Sequence, residues 1–435
     1  MGRLTRLLVA AALGAQLALA STATVLGFSG FGPSSADATF GSQMTFRVEL
    51  QGGAPSEVDL LLRFGDAEST LIAPADVAGD HAQYVWDAAA QYVTPNTHVR
   101  YRWRAVDGDS VRLSAEQTLI YDDDRPGLDW HSAVIGQATV HWYGGSESVA
   151  RRFGDLSAEG ASRAAQLFQH AMTGPVDIFV YNSRNDFFGA LGPGAREWFG
   201  AATFPSLRTI FMWTGAGSSD YLETTIVHEV THVVFHDATE NPFHEPAKWL
   251  NEGLATWSEQ RSAGAQRTVV QAEADGDGLF SFDAIAYDFP FGSRGSSLSY
   301  AMGTTMVDML IRTYGDDAMA RLAEAYRGGA SDAEALTAAS GIPADELFAD
   351  YYAEFGADEP RPVDAAPILP SNVRKAGGTG RGTTASQTPV PGNSAGTADE
   401  GSLALVVLAV LLVVIGGLAA TVWASRRVRR PGSEA

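Results

Sequence analysis

The chain has 435 residues, of which 45% are hydrophobic and 19% are charged, so it is long enough for two or three domains with buried cores. The absence of cysteine excludes disulfides, thiolate metal sites and cysteine nucleophiles. A formal charge of −21 argues against a large nucleic-acid-binding surface, and we expect no nucleic-acid partner.

The first segment, residues 1–20, is predicted to be a secretory signal peptide. Arg3 and Arg6 precede an apolar run, and Ala18-Leu19-Ala20 has the small-x-small pattern of a cleavage site. An uncleaved N-terminal anchor is the alternative interpretation. In both cases the segment indicates that the chain is exported.

Residues 21–125 are predicted to form an immunoglobulin- or fibronectin-like β-sandwich of six or seven strands. Short alternating runs of apolar and polar residues are separated by turn residues at a spacing typical of sandwiches. The run Asp122-Asp123-Asp124 is interpreted as a solvated hinge rather than a calcium site. The predicted strands are Thr45–Leu50, Val58–Phe64, Gln83–Trp86 and Val99–Val106, and the last of these has the clearest alternation.

Residues 134–356 are predicted to form a second, α+β domain, in which strands alternate with longer helical patterns and the last helices form a separate lobe. The predicted strands are Thr139–Tyr143, Val176–Tyr181, Phe199–Phe204 and Thr209–Trp213. The predicted helices are Ser157–Met172, one beginning near Ser219 or Asp220, one begun by Pro246, one from Ser299 to about Thr313, and then Asp316–Tyr326, Asp332–Ser340 and Ala344–Glu354.

The helix that begins near Ser219 carries the sequence His228-Glu229-Val230-Thr231-His232. Residues four apart share one face of a helix, so both imidazoles can reach one metal ion. Glu229 follows the first histidine and can act as a general base toward water. A solvated helix with two incidental histidines is the alternative interpretation.

The next predicted helix argues against that alternative. It contains Asn251-Glu252-Gly253, and Glu252 follows His232 by twenty positions. Glu252 would supply the third ligand beside His228 and His232. Two histidines and one glutamate leave the fourth position of a zinc ion open to water, as a hydrolytic site requires.

The two motifs together, His-Glu-Val-Thr-His and Asn-Glu-Gly-Leu-Ala, resemble those of the gluzincin clan, the superfamily of thermolysin and aminopeptidase N. They are most similar to those of bacterial proteins with a peptidase MA-like domain, and the resemblance covers residues 134–356. It implies a gluzincin metallopeptidase domain, a mixed sheet plus a helical lobe, with Zn²⁺ as cofactor and a peptide or protein as substrate. The gap between the second histidine and the glutamate is one residue longer than is typical of the aminopeptidase N branch.

The resemblance gives roles to two further residues. Ser299-Tyr300-Ala301-Met302-Gly303 is similar to the segment that carries the transition-state tyrosine of aminopeptidase N relatives, which implies that Tyr300 donates a hydrogen bond to the oxyanion. A core tyrosine at the start of a helix is the alternative. Glu259 resembles the second acidic residue of the family's helix and would steady a metal ligand.

The substrate is expected to pair, as an added extended strand, with Thr209–Trp213 just before the metal helix. Related aminopeptidases carry a Gly-Ala-Met-Glu-Asn motif whose glutamate binds the free amine of the substrate. The comparable stretch here, Thr214-Gly215-Ala216-Gly217, contains no acid. The sequence therefore favours an endopeptidase.

The C-terminal part is predicted to anchor the protein in a membrane. Residues 357–401 are rich in Pro, Gly, Ser and Thr, as in a disordered linker. Residues 403–424 carry no charge and can span a hydrocarbon core, and the tail 425–435 contains four arginines, which stay cytoplasmic. This predicts a single-pass cell-membrane protein with an extracellular N-terminal ectodomain.

The function that these observations favour is hydrolysis of peptide bonds by a membrane-anchored extracellular zinc metallopeptidase. Zinc on His228, His232 and Glu252 would activate a water molecule, with Glu229 as general base and Tyr300 as catalytic partner. Two alternatives remain open at this point: a surface binding or adhesion protein with a silent peptidase-like domain, and a zinc hydrolase that acts on cell-wall peptides. The sequence does not determine the oligomeric state.

Overall fold

The computed structural model describes residues 27–67, 69–192, 200–259, 263–290, 293–357 and 360. The predicted signal peptide, membrane span and cytoplasmic tail lie outside these ranges, as does nearly all of the predicted linker. No helix within the described ranges combines the length and the apolar character that crossing a membrane needs.

The N-terminal part consists of two β-sheets that enclose one apolar core. Its strands are β1 (Phe28–Thr39), β2 (Gln43–Gly52), β3 (Glu57–Phe64), β4 (Leu71–Pro74), β5 (Asp76–Ala78), β6 (His81–Asp87), β7 (Thr97–Asp107), β8 (Ser110–Leu113) and β9 (Gln117–Tyr121). One sheet has the order β1-β2-β6-β5 and the other β4-β3-β7-β8, with β9 also paired to β7. Alternate residues of each strand face the core, such as Phe46 of β2 against Tyr101 of β7.

The four strands singled out from the sequence are confirmed, each within two or three residues of its predicted ends. The described part holds nine strands rather than six or seven. β1 escaped prediction because its sequence, FSGFGPSSADAT, has few of the β-branched residues by which strands are recognised. An immunoglobulin- or fibronectin-like topology and the domain limits stay predictions.

The C-terminal part is built on a five-stranded mixed sheet. Its strands are β10 (His131–Ile135), β11 (Ala138–Trp142), β12 (Val176–Tyr181), β13 (Ala201–Phe204) and β14 (Thr209–Trp213). The order is β10-β11-β12-β14-β13, with β11, β12 and β14 parallel and the two outer strands antiparallel to their neighbours. Of the strands that the structure describes, β13 therefore lies at one edge of this sheet. β14 has neighbours on both sides, so the expectation that Thr209–Trp213 pairs with substrate is wrong.

Helices cover both faces of this sheet and form a lobe beside it. They are α1 (Glu147–Phe168), α2 (Arg184–Leu191), α3 (Ser219–Thr239), α4 (Lys248–Ser258), α5 (Ala263–Ala274), α6 (Ser293–Tyr314), α7 (Ala318–Arg327), α8 (Asp332–Ser340) and α9 (Ala344–Glu354). In β12, Ile178 and Val180 face the main core with α1 and α3, whereas Phe179 and Tyr181 face a second apolar cluster that includes α2. The predicted α+β class is confirmed.

Three predicted helix starts need correction. α6 begins at Ser293, six residues earlier than the predicted Ser299, so Tyr300 lies in its second turn rather than at its start. α1 begins at Glu147, ten residues earlier than predicted, because the Ser146 hydroxyl accepts the Ser148 N–H and caps a polar first turn. α4 begins at Lys248, with Ala247 rather than Pro246 at its N-terminal boundary. α8 and α9 have the predicted limits.

The segment between the two parts is not a solvated hinge throughout. Asp123 is only 3% exposed. It pairs with Arg125 at 2.6 Å and accepts a hydrogen bond from the Tyr181 hydroxyl at 2.9 Å. The Asn96 side-chain amide also donates to the Thr209 hydroxyl at 2.9 Å. These contacts tie the β-sheets to the mixed sheet within one compact unit.

Candidate metal centre

Helix α3 forms the floor of the candidate site. At the start of this helix, the Ser218 hydroxyl accepts a hydrogen bond from the Tyr221 N–H. The negative charge of Asp220 in the first turn interacts favourably with the positive end of the helix dipole. From Ile226 onward nearly every side chain is buried, so the helix is fixed inside the domain. His228 and His232, one turn apart on this helix, are directed to the same side, with ring centroids 4.9 Å apart.

Helix α4 brings a carboxylate to the two histidines. Glu252 Oε2 lies 3.5 Å from His228 Nε2 and 3.8 Å from His232 Nε2. α4 is held close to α6 because Gly253 faces Gly303, and a Cβ on either glycine would come within 3.0 Å of backbone atoms of the other helix. The structure thus brings together the three residues that the sequence predicted as metal ligands.

Each histidine also has a partner on its far side. His228 Nδ1–H donates to Glu259 Oε1 at 2.8 Å, and His232 Nδ1–H donates to Asn251 Oδ1 at 2.8 Å. These bonds fix the ring orientations and leave both Nε2 atoms directed at Glu252. The contact of Glu259 was expected from the sequence. That of Asn251 was missed, although its position next to Glu252 could have suggested it.

His228 and Glu252 each shift the pKa of the other. Burial opposes ionisation of Glu252, but the hydrogen bond from His228 and the attraction of both imidazoles outweigh it and lower the pKa of Glu252 to about 2. Burial likewise opposes protonation of His228, yet Glu252 and Glu259 outweigh it and raise the pKa of His228 well above its usual value. Without a metal, the site therefore holds an imidazolium between carboxylates.

These donors fit a zinc ion. The three ligand atoms lie within 4.8 Å of one another, and this is the one such group of His, Asp or Glu residues found in the described ranges. Ligand atoms around a tetrahedral zinc are about 3.3 Å apart, close to the separations between Glu252 and each histidine. Two neutral imidazoles and a carboxylate are the donor set of catalytic zinc with one open position.

Glu229 lies beside this group and is 8% exposed. Its carboxylate accepts a hydrogen bond from the Thr203 hydroxyl of β13 at 2.5 Å. No sequence pattern indicated a role for Thr203, because the contact joins a strand to a helix residue that lies 26 positions further along the chain. β13 is thus in direct contact with the residue predicted to act as the base.

Tyr300 lies in α6 and is partly buried against the core, with its ring edge-on to Phe289 at 5.1 Å. It precedes Gly303 by one turn and so shares the face of α6 that crosses α4. α4 also carries Glu252. A catalytic role for Tyr300 stays a prediction.

The part of the chain that contains this site is similar to a known protein family. Residues 157–355, which include both helices of the candidate centre, match the family model described as the peptidase MA superfamily. This segment is a peptidase MA superfamily domain. No curated protein matches the sequence significantly.

Two solved structures are similar to this chain. An M1 zinc metallopeptidase from Deinococcus radiodurans, bound to a Tyr-Ser-Ala substrate, is 12% identical over 78% of this chain and 98% of that chain, with a TM-score of 0.34. An aminopeptidase N family protein from Idiomarina loihiensis is 9% identical over 75% of this chain and 71% of that chain, with a TM-score of 0.31. Because these TM-scores are low, the assignment rests on the family match.

Proposed function

We propose that the protein is a zinc metallopeptidase that hydrolyses internal peptide bonds outside the cell. The observation that carries the proposal is the convergence of His228, His232 and Glu252 beside the buried carboxylate of Glu229. A binding protein with a silent domain would have no need of both the donor set and an adjacent base. The membership of the peptidase MA superfamily supports the same conclusion.

The metal would be held by His228 Nε2, His232 Nε2 and Glu252, with Glu259 and Asn251 orienting the imidazoles. A zinc ion in such a site acts as a Lewis acid toward a carbonyl group and toward water. Glu229 would take a proton from the attacking water and transfer it to the nitrogen of the leaving amine. Tyr300 would donate a hydrogen bond to the oxygen on which negative charge develops.

The substrate would bind along β13, the edge strand next to Glu229. An extended peptide can add to such an edge by main-chain hydrogen bonds, which do not depend on its side chains. Neither β13 nor the turn Thr214-Gly215-Ala216-Gly217 carries an acid that could bind a free amine. This favours cleavage within a chain over removal of its first residue.

The cellular location is part of the proposal. A signal peptide at residues 1–20, a span at residues 403–424 and the basic tail after it would place the peptidase on the outer side of a membrane. The linker 357–401 would separate the catalytic part from the bilayer by a flexible stalk. Sequence alone supports this placement.

The test uses the purified full-length chain and two matched substitutions, Glu229→Gln and Glu240→Gln. Glu240 lies at the end of the same helix and is exposed, so its substitution controls for the loss of a charge. We expect one zinc per chain in all three proteins, and cleavage of casein and of an N-acetylated peptide by the wild type and Glu240→Gln alone. Retained activity in Glu229→Gln would contradict the assigned base, and absence of bound metal would contradict the enzyme. Zinc without casein cleavage would favour cell-wall peptides as substrate.

A further inference from the structure

Thr203 lies in β13 at the point where this strand contacts helix α3. In β13 it pairs with Ile210 of β14, whereas the Trp213 N–H donates to the Gly200 carbonyl at 2.9 Å. Hydrogen-bonded and non-hydrogen-bonded pairs alternate along an antiparallel ladder. Counting from the Gly200 pair, Ala201 and Thr203 are in non-hydrogen-bonded pairs. Their N–H and C=O groups therefore point away from β14, toward the edge of the sheet that no described strand covers.

The side chain of Thr203 points to α3 instead. Its Oγ1 lies 2.5 Å from Glu229 Oε2 and 3.3 Å from the Glu229 carbonyl oxygen. The hydroxyl has one proton, and the shorter contact to the carboxylate takes it. Among the residues that the structure describes, Thr203 is the only hydrogen-bond donor to this carboxylate. One carboxylate oxygen is thereby held and the other stays available to accept a proton.

We propose that Thr203 is a positioning residue that orients Glu229 and also sets the register of the bound peptide. This inference rests on the proposed function of Glu229 as general base. The Thr203 hydroxyl limits rotation of the glutamate carboxylate, and the Thr203 backbone pairs with the substrate strand. One residue thus fixes both reacting partners relative to each other. Such pre-orientation matters because a displacement of about 1 Å can cost roughly 100-fold in rate.

Thr203 neither gives nor takes a proton during peptide hydrolysis. Water gives one proton to the free oxygen of Glu229, its oxygen bonds to the peptide carbonyl carbon, and the C–N bond breaks as the same proton moves to the amine nitrogen. The Thr203 hydroxyl keeps its proton and its hydrogen bond to Glu229 throughout. Its contribution is orientation, so a hydroxyl on a different side chain should replace it.

The test compares Thr203→Val, which keeps the shape and β-branching, with Thr203→Ser, which keeps the hydroxyl. Thr118→Val, at an exposed position of strand β9, is the control for the same exchange of side chains away from the site. We expect Thr203→Val to lower kcat by about 10- to 100-fold with little change in KM, zinc content or melting temperature. Thr203→Ser should recover kcat to within about threefold. Wild-type kcat in Thr203→Val, or loss of its zinc, would overturn the proposal.

Two further variants separate this inference from the proposed function. If Glu229→Gln is inactive while Thr203→Val is fully active, only the role of Thr203 is wrong. If Glu229→Gln retains activity, the base assignment fails and the role of Thr203 fails with it. In the double variant we expect Thr203→Val to add no further loss to that of Glu229→Gln, because the two residues act through one interaction.

Discussion

His228 is joined to Glu259 by a hydrogen bond of 2.8 Å between Nδ1 and Oε1, although the two residues lie 31 positions apart. Glu259 terminates α4, and Glu252 lies on the same helix two turns earlier. A single helix therefore contacts His228 from both sides, with a candidate ligand at Nε2 and a supporting carboxylate at Nδ1. Metal affinity should depend on both ends of this helix.

Replacement of Glu259 by alanine should weaken zinc binding while leaving the candidate ligands in place. Loss of the Nδ1 acceptor frees the His228 ring and lowers its basicity, which typically costs 10- to 100-fold in metal affinity. The measurement is competition with a chelator of known zinc affinity, and Glu346→Ala, an exposed carboxylate on α9, is the control. Equal affinities in the two variants would show that Glu259 does not support the metal.

Zinc binding should release a proton from His228. The pKa of this residue in the metal-free protein lies well above 6.5, so its ring is charged at pH 7, whereas Glu252, with a pKa of about 2, is already ionised. A metal binds the neutral ring, so we expect about one proton released per zinc at pH 7. Calorimetry in two buffers of different ionisation enthalpy measures this number. A value near zero would contradict the raised pKa.

The raised pKa of His228 also determines how the stability of the metal-free protein changes with pH. A histidine whose pKa is raised on folding stabilises the folded state fully below its unfolded pKa of about 6.5, and this stabilisation is lost as the pH rises through the folded value. The free energy of unfolding of the metal-free chain should therefore fall as the pH rises through the raised pKa of His228. Zinc should remove most of this dependence.

The site could be predicted largely because its elements are local in sequence. His228, Glu229 and His232 lie on one helix, whose apolar positions mark it clearly, and Glu252 follows on the next. Both elements were predicted within a few residues of their observed limits. The spacing of residues four apart on a helix carries the geometry of two ligands directly.

What the sequence could not reveal depends on strand order and on contacts between distant elements. β12 and β14 have the predicted limits, but no local pattern shows that the four-residue strand β13 covers the outer side of β14. The same fact gives Thr203 its contact with Glu229. The burial of Asp123 depends on Tyr181 of the other sheet, so a run of three aspartates alone indicates solvent.

Replacement of Tyr300 by phenylalanine tests the role that the family resemblance implies. Loss of a donor to the oxyanion should lower kcat by about 100- to 1,000-fold, with zinc content and KM little changed. Tyr287→Phe is the control, because Tyr287 is 92% exposed in the loop that precedes α6. Similar activity in both variants would show that Tyr300 is a core residue without a catalytic function.

Replacement of Asp123 by alanine should destabilise the connection between the two parts of the chain. It would leave the Arg125 guanidinium without its buried carboxylate and the Tyr181 hydroxyl without its acceptor. Arg125 also donates to the Asp186 carbonyl, so we expect the lower end of the usual cost, about 3 kcal/mol in the free energy of unfolding. Asp122→Ala, at an exposed neighbour, should change it by less than about 0.5 kcal/mol. Urea unfolding distinguishes the two, and equal effects would refute the role of Asp123.

Replacement of Gly303 by alanine should destabilise the protein and weaken metal binding together. Its Cβ would lie within 3.0 Å of the Trp249 carbonyl oxygen and 3.2 Å from the Gly253 Cα, so α4 and α6 would have to separate, and Glu252 would move with α4. Overpacking costs about 1 to 3 kcal/mol, and because the added Cβ would meet backbone atoms we expect the upper part of that range, above the gain of about 1 kcal/mol from helix propensity.

The matched control is Gly264→Ala in α5, where an added Cβ meets nothing within 4 Å. Without the steric cost, alanine should raise the free energy of unfolding by about 0.5 to 1 kcal/mol. The two Gly→Ala substitutions should thus shift the melting temperature in opposite directions, and only Gly303→Ala should lower zinc affinity in a chelator competition. Stabilisation by both would show that the close approach of α4 and α6 does not hold Glu252 in place.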